Sequence, residues 1–196
     1  MVKNILIVGV GGQGTLLASK IMGKVLLAQG YDVKVSEVHG MSQRGGSVVT
    51  YVRYGEKVYS PLIEKGEADL LLSFEELESA RWLPYLKKDG LLITNTQQMD
   101  PMPVIMGNAT YPQQLTEKLR AAGVQVCAAD ALAMAREAGS VRAVNMVLVG
   151  MAAQSLLPDA EVWLQTVRET VPPKTVEINE KAFLAGFAYR SAEKGA

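Results

Sequence analysis

Near its start the chain reads Asn4-Ile5-Leu6-Ile7-Val8 and then Gly9-Val10-Gly11-Gly12-Gln13-Gly14. A continuous apolar run ending in glycine marks a strand buried on both faces, as central strands of parallel sheets are. From Gly14 to Gln29, Leu16, Leu17, Ile21, Val25 and Leu26 recur at helical spacing, and Gly30 stands where a helix ends left-handed. Val33 to Ser36 predicts the next strand, completing a right-handed βαβ unit. Strand, glycine turn, helix and strand in this order commit the chain to the α/β class.

The pattern continues with a strand over Val48–Tyr54 and a hairpin turn at Gly55-Glu56-Lys57 into Val58-Tyr59. Further strands are predicted over Ala68–Ser73, Gly90–Asn95 and Val124–Cys127, with helices over Glu75–Ala80 and Gln113–Ala122. Lys87-Lys88-Asp89-Gly90 reads as a turn, and Asp100-Pro101-Met102-Pro103 as a loop before a short strand near Val104–Met106. After Asp130 the pattern is helical: Ala131–Ala138, Arg142–Leu156, Ala160–Thr170 and Thr175–Tyr189, broken at Pro158 and Pro172-Pro173. The expectation is a Rossmann-like, mostly parallel sheet flanked by helices, with a helical C-terminal part. At 196 residues one domain suffices, the sheet over 1–130 and the helices over 131–196.

Hydrophobic residues make up 48%, enough for a substantial core, while twenty basic residues balance twenty acidic ones. That balance argues against nucleic acid and anionic membranes as partners. Cys127 and His39 are each the only residue of their type, which excludes an internal disulfide and argues against a metal centre. A short apolar run after Lys3 is no export signal, so a cytoplasmic, reducing location is expected. Ala143–Ala153, the longest apolar stretch, is too short to span a bilayer and reads as a buried helix. Burial on all its sides, like the nine methionines, raises the prospect of a partner surface.

Gly9-Val10-Gly11-Gly12-Gln13-Gly14 satisfies G-x-G-x-x-G between a strand and a helix, the arrangement of an anion site. Glu37 falls about where a dinucleotide enzyme keeps its ribose acid, roughly twenty residues on. The same turn can equally hold the pyrophosphate of coenzyme A, or serve close packing alone. The second dense stretch is Glu37-Val38-His39-Gly40-Met41-Ser42-Gln43-Arg44-Gly45-Gly46-Ser47. A polar, glycine-rich loop at a strand's carboxyl end is where open α/β sheets put ligands. His39 is the one candidate for proton transfer near neutral pH, against the alternative of a loop histidine that bonds only backbone. Arg44 suits a phosphate or an acidic partner chain. Ser42 has no base beside it and is not read as a nucleophile. Glu75, Glu76 and Glu78 read as the solvated face of a short helix, and Cys127 as an inert buried thiol.

Taken in order, the two loops resemble the gamma-type subunit family of the 2-oxoacid:ferredoxin oxidoreductases, on its indolepyruvate branch. The resemblance includes Ala68-Asp69-Leu70-Leu71-Leu72-Ser73-Phe74-Glu75, Asn145-Met146-Val147-Leu148-Val149-Gly150, and Asn179-Glu180-Lys181-Ala182-Phe183 with Gly186. It implies a subunit that is inactive alone, in a complex that converts an arylpyruvate and coenzyme A to an aryl-acetyl-CoA, carbon dioxide and reduced ferredoxin. Thiamine diphosphate, magnesium and iron–sulfur clusters would sit on a companion alpha-type chain, with none held by this one. Ferredoxin would meet the assembled complex, and the isolated chain would be free to form a homodimer. The implied coenzyme A residues are Gly9, Gly11, Gly12, Gln13, Gly14 and Thr15, with Ser42, Gln43 and Arg44 where related pyruvate enzymes look lysine-rich. His39 and Met41 would approach the partner's thiamine. The other readings are an independent NAD- or FAD-binding oxidoreductase, and an assembly partner whose glycine turn binds nothing.

Overall fold

Ile5, Leu6, Ile7 and Val8 are at most 1% exposed in the computed structural model. The strand they build, β1 (Lys3–Val10), is interior to the sheet. The structure describes residues 1–39 and 46–194, leaving aside the side chains of His39 and of 191–194. After β1 come α1 (Thr15–Ala28), β2 (Asp32–His39), β3 (Ser47–Gly55), β4 (Ala68–Ser73) and α2 (Glu76–Trp82). They are followed by β5 (Leu86–Asn95), a short α3 (Met102–Ile105), α4 (Leu115–Ala121) and β6 (Gln125–Ala129). From Ala131 the described chain is helical: α5 (Ala131–Glu137), α6 (Val144–Leu156), α7 (Ala160–Thr170) and α8 (Val176–Lys194).

The described strands form a six-stranded sheet in the order β2-β3-β1-β4-β5-β6. Pairing is parallel from β1 through β4 and β5 to β6, whereas β3 is antiparallel to both β1 and β2. Only β3 runs against the rest, so the expected mostly parallel sheet with flanking helices is what the chain builds. The expected βαβ unit needs a correction. β2 runs in the direction of β1, but β3 lies between them. Burial accounts for the order: Val48 to Val52 of β3 are buried, while Val35 and Val38 of β2 are 44% and 50% exposed. The strand that is apolar on both faces takes the inner place, and β2 takes the edge.

Other local expectations also yield to tertiary structure. Val58-Tyr59 is not a strand; the Val58 N–H donates to Asp32 Oδ2 at 2.9 Å, tying the segment to the start of β2. Val104–Met106 belongs not to a strand but to the end of α3, whose first turn carries a proline, a position where the missing N–H is harmless. Lys87–Gly90 is not a turn between elements. It lies inside β5, where the register jumps from Ala68↔Leu86 to Leu70↔Leu91 and the intervening residues bulge out.

Alternation along β1 divides the core. Ile5 and Ile7 join Ile21, Met22 and Val25 of α1 and the apolar residues of α6, α7 and α8. Leu6 and Val8 face the other way, against Val49, Tyr51, Ile63 and Leu119. The C-terminal helices therefore stack over the face that α1 covers. Every residue of α6 from Val144 to Ala153 is buried. A helix apolar on all sides must be enclosed, and α1, α5, α7 and α8 of the same chain do so. The prospect of a partner on this helix is thereby answered from within. Among the described residues no helix is long and apolar enough to cross a membrane.

Candidate functional site

β1 ends in a turn whose contacts leave no room for a side chain at Gly9 or Gly14. A Cβ on Gly9 would stand 2.8 Å from Gln13 Oε1 and 2.9 Å from the Phe74 Cβ. Gly12 and Gly14 have φ of 100° and 87°, the left-handed region where glycine alone is unstrained. The amide of Gln13 braces the turn: its Oε1 accepts the Val10 N–H at 2.8 Å, and its Nε2 donates to the Phe74 carbonyl at 3.1 Å. That second bond crosses from β1 to the residue following β4. The Gly11 N–H donates to the Gly46 carbonyl at 2.9 Å, holding the start of β3 against the turn. Gly14 caps α1 and Thr15 opens it, almost fully buried.

The turn lies at the switch point of the sheet. The helix after β1 packs on one face, while α2, which follows neighbouring β4, leads to the cluster on the other. A crevice opens between such divergent connections at the carboxyl ends of the strands. Here it is a groove of about 700 Å³. Gly11 to Gly14 form one side of it, and Gln97 and Met99 beyond β5 form another. Leu132 of α5 and Val141, Arg142 and Val144 at the start of α6 complete it. A Cβ placed on Gly12 would meet nothing within 4 Å, so the backbone there is open to an occupant. First-turn N–H groups and the dipole of a 14-residue helix favour an anion at this end.

Beside the groove lie Glu75, Glu76 and Glu78, each 5% exposed or less. The sequence reading of a solvated helical face is therefore overturned. Glu75 caps α2, accepting from the Glu78 N–H at 2.9 Å, the Met99 N–H at 3.0 Å and the Tyr111 hydroxyl at 2.5 Å. Glu76 accepts from Gln98 Nε2 at 2.7 Å and Thr116 Oγ1 at 2.8 Å. Glu78 accepts from Arg81 at 2.6 Å, from the Trp82 indole at 3.2 Å and from the Ser47 hydroxyl. Burial and the Glu75 carboxylate together push the Tyr111 phenol far above its ordinary range. Carboxylates supplied with donors in this way fix the segments after β4 and β5, and their oxygens are committed to structure.

Of the residues singled out in the sequence, Gly9, Gly11, Gly12, Gln13, Gly14 and Thr15 come together at one turn. Gln13 turns its amide inward as a brace. The main chain of His39 ends β2, paired with Val48; its side chain, with Met41, Ser42, Gln43 and Arg44, lies outside what is described. Glu37 accepts from Ser19 Oγ of α1 at 3.0 Å. With β3 between β1 and β2, the ribose-acid position of a dinucleotide fold is not reproduced. Sequence reasoning missed Gln97, Leu132 and Arg142. They lie 83 or more positions beyond the turn by number (97 against 14), and only Asn145, close to Arg142 in an already noted motif, pointed their way. Among the described residues no group of three His, Cys, Asp or Glu side chains is placed to hold a metal ion.

Comparison with known proteins adds four findings. The family model described as pyruvate ferredoxin/flavodoxin oxidoreductase matches residues 4–189. The indolepyruvate oxidoreductase subunit IorB of Thermococcus kodakarensis is 46% identical over 189 residues, covering 93% of each chain. Among solved structures, the gamma subunit of a keto/oxoacid ferredoxin oxidoreductase from Geobacter sulfurreducens shares the fold with a TM-score of 0.72. It is 24% identical and covers 97% of this chain and 99% of its own. A 2-oxoglutarate:ferredoxin oxidoreductase from Magnetococcus marinus, solved with 2-oxoglutarate, coenzyme A and succinyl-CoA bound, has a TM-score of 0.75 at 18% identity. This chain matches 31% of that longer one with 97% of its own length.

Proposed function

Because the chain belongs to the pyruvate ferredoxin/flavodoxin oxidoreductase family, we propose that it is the small, non-thiamine subunit of an indolepyruvate oxidoreductase. The complex takes an arylpyruvate and coenzyme A to aryl-acetyl-CoA and carbon dioxide, and passes two electrons to ferredoxin. Relatives of 46% and 47% identity carry the indolepyruvate name, which supports the aryl substrate. Thiamine diphosphate, magnesium and the iron–sulfur clusters belong to the larger alpha-type partner, and this chain alone is inactive.

The observation that carries the reading is the groove of about 700 Å³ at the Gly11–Gly14 turn. Its donors suit a diphosphate: open backbone at Gly12 and the first turn of α1 at Thr15. Its apolar sides at Met99, Leu132 and Val144 suit a long, partly apolar ligand such as coenzyme A. The coenzyme is a substrate whose thiol must reach an acyl group on the partner. Holding its nucleotide end here fixes that approach and, once the partner docks, keeps water from the reacting acyl group. Ser42, Gln43 and Arg44 extend the same site in this proposal, and His39 faces the partner.

The experiment is to purify the chain with its partner from native cells. Ferredoxin reduction with indolepyruvate is then assayed with and without coenzyme A, beside the chain alone. Coenzyme-dependent turnover by the complex and none by the lone chain is expected. A chain that purifies without a thiamine-bearing partner, or turnover indifferent to coenzyme A, would overturn the proposal.

A further inference from the structure

Two large hollows among the described residues differ in the kind of charge they carry. One, of about 590 Å³, lies at the amino ends of β1, β4 and β5. There Lys3 and Lys87 are both held by Asp69, at 3.4 and 2.9 Å, and Lys88 lies next to Asp89 in sequence. Two of its three lysines thus share one carboxylate, and a second acid, Asp89, lines the same hollow. The other is the groove at the glycine turn, where Arg142 is the only ionisable side chain among the described lining residues. No carboxylate is among the described lining residues; Glu75, Glu76 and Glu78 beside the groove are taken by other donors, and no ion pair engages Arg142 among the described residues.

The backbone of Arg142 is also fixed in place. Ser140 Oγ accepts its backbone N–H at 3.2 Å, starting a 3-10 turn over Val141–Ala143 that runs directly into α6. Ala143 and Val144, the residues following it, are buried. Three positions on, Asn145 lies against Gly14. The arginine therefore stands on the groove rim within one helical turn of a residue that touches the glycine turn. An exposed guanidinium on a fixed stretch of backbone, lining a groove that already favours an anion, has the chemistry of a phosphate receptor.

We infer that Arg142 binds a phosphate of the coenzyme lodged in this groove, as a charge partner contributed by the helical C-terminal part. The inference rests on the coenzyme reading above and adds to it a residue outside both sequence loops. The phosphate is either the diphosphate or the 3′-phosphate of coenzyme A, both of which a guanidinium recognises alike.

The test is titration of the assembled complex with coenzyme A and with 3′-dephospho-CoA, without 2-oxoacid, for the native chain and for Arg142→Gln and Arg142→Lys. Loss of a charge-assisted contact raises the Kd for coenzyme A roughly tenfold to a hundredfold in Arg142→Gln, with Arg142→Lys between. The KM for indolepyruvate stays unchanged. If dephospho-CoA binding is unaffected by the substitution, the contact is with the 3′-phosphate. If both coenzymes weaken alike, it is with the diphosphate. Unaltered Kd values for both, with the native complex binding normally, would overturn the role of Arg142 alone. So would a rise in indolepyruvate KM equal to the coenzyme effect, which marks general damage. A native complex that binds no coenzyme A would remove this inference and the coenzyme reading together.

Discussion

Asn145 of α6 lies against Gly14, its Nδ2 2.7 Å from the position a Cβ on the glycine would take. The C-terminal helices thus touch the turn that begins α1, and the residue at the contact can only be glycine. Gly14→Ala meets two obstacles: a φ of 87°, which costs an L-residue about 1–2 kcal/mol, and displacement of a side chain that is 5% exposed. Gly30→Ala is the control, since its φ of 84° is alike but nothing lies within 4 Å of its Cβ position. Urea midpoints should fall for both and further for Gly14→Ala. Equal losses would mean that Asn145 gives way freely.

Gly150 and Gly186 set the closeness of α6 to α8. A Cβ on Gly150 would overlap the Phe183 carbonyl, and one on Gly186 the Val147 carbonyl. The obstacles are backbone atoms, so no rotamer change relieves them. Alanine at either position should destabilise at the upper end of the ~1–3 kcal/mol typical of overpacked cores, or beyond it. The double variant should lose less than the sum, because separating the helices once relieves both overlaps. Denaturant midpoints at unchanged slope would check this; additive losses would argue that each site adjusts alone.

β1, α1 and α6 were readable in the sequence because their signals are local: an unbroken apolar run, a 3.6-residue period, an all-apolar helix. The place of β3 between β1 and β2 was not, since adjacency in a sheet is decided by pairing across dozens of residues. Glu75, Glu76 and Glu78 were misread for a related reason. Glu75 and Glu76 meet Gln98, Met99 and Tyr111 in a stretch without periodicity and Thr116 in the first turn of α4, while Glu78 meets Ser47 of β3, all distant in sequence. At the groove, the glycine motif announced the turn but not its opposite wall. Leu132 and Arg142 arrive there through the stacking of the C-terminal helices over α1, and no spacing rule connects them with Gly11.

The Tyr111–Glu75 bond gives the fold an alkaline limit. Its phenol is raised far above the ordinary value, by burial first and then by the carboxylate. Above about pH 10 the unfolded chain releases this proton while the folded chain keeps it, so stability falls by about 1.4 kcal/mol per pH unit for such a group. Tyr54, pushed up to about 12 by burial with Tyr31 and Asp69 nearby, adds to the same slope until its own folded value is reached. Below pH 10 both contributions are fully present. Melting curves between pH 8 and roughly 11.5 should show a shallower decline in Tyr111→Phe than in the native chain. The variant should start lower, by about 1.5–3 kcal/mol for a lost bond to a charged group. Parallel declines would show that Tyr111 ionises as freely folded as unfolded.

Gln13 and Arg142 border one groove and should fail in different ways. The Gln13 amide is occupied by the Val10 N–H and the Phe74 carbonyl, so Gln13→Ala strands both groups beneath the turn. A loss of about 1–3 kcal/mol in stability is expected. Coenzyme affinity should fall with it, because the turn that presents Gly12 and Thr15 loses its brace. Arg142, exposed and without an ion pair among the described residues, contributes little to folding, and Arg142→Gln should leave the denaturation midpoint within experimental error. Measuring midpoint and coenzyme Kd on both variants separates support from contact. A Gln13→Ala chain of native stability and weakened binding would show that its amide meets the ligand directly, as the sequence alone had implied.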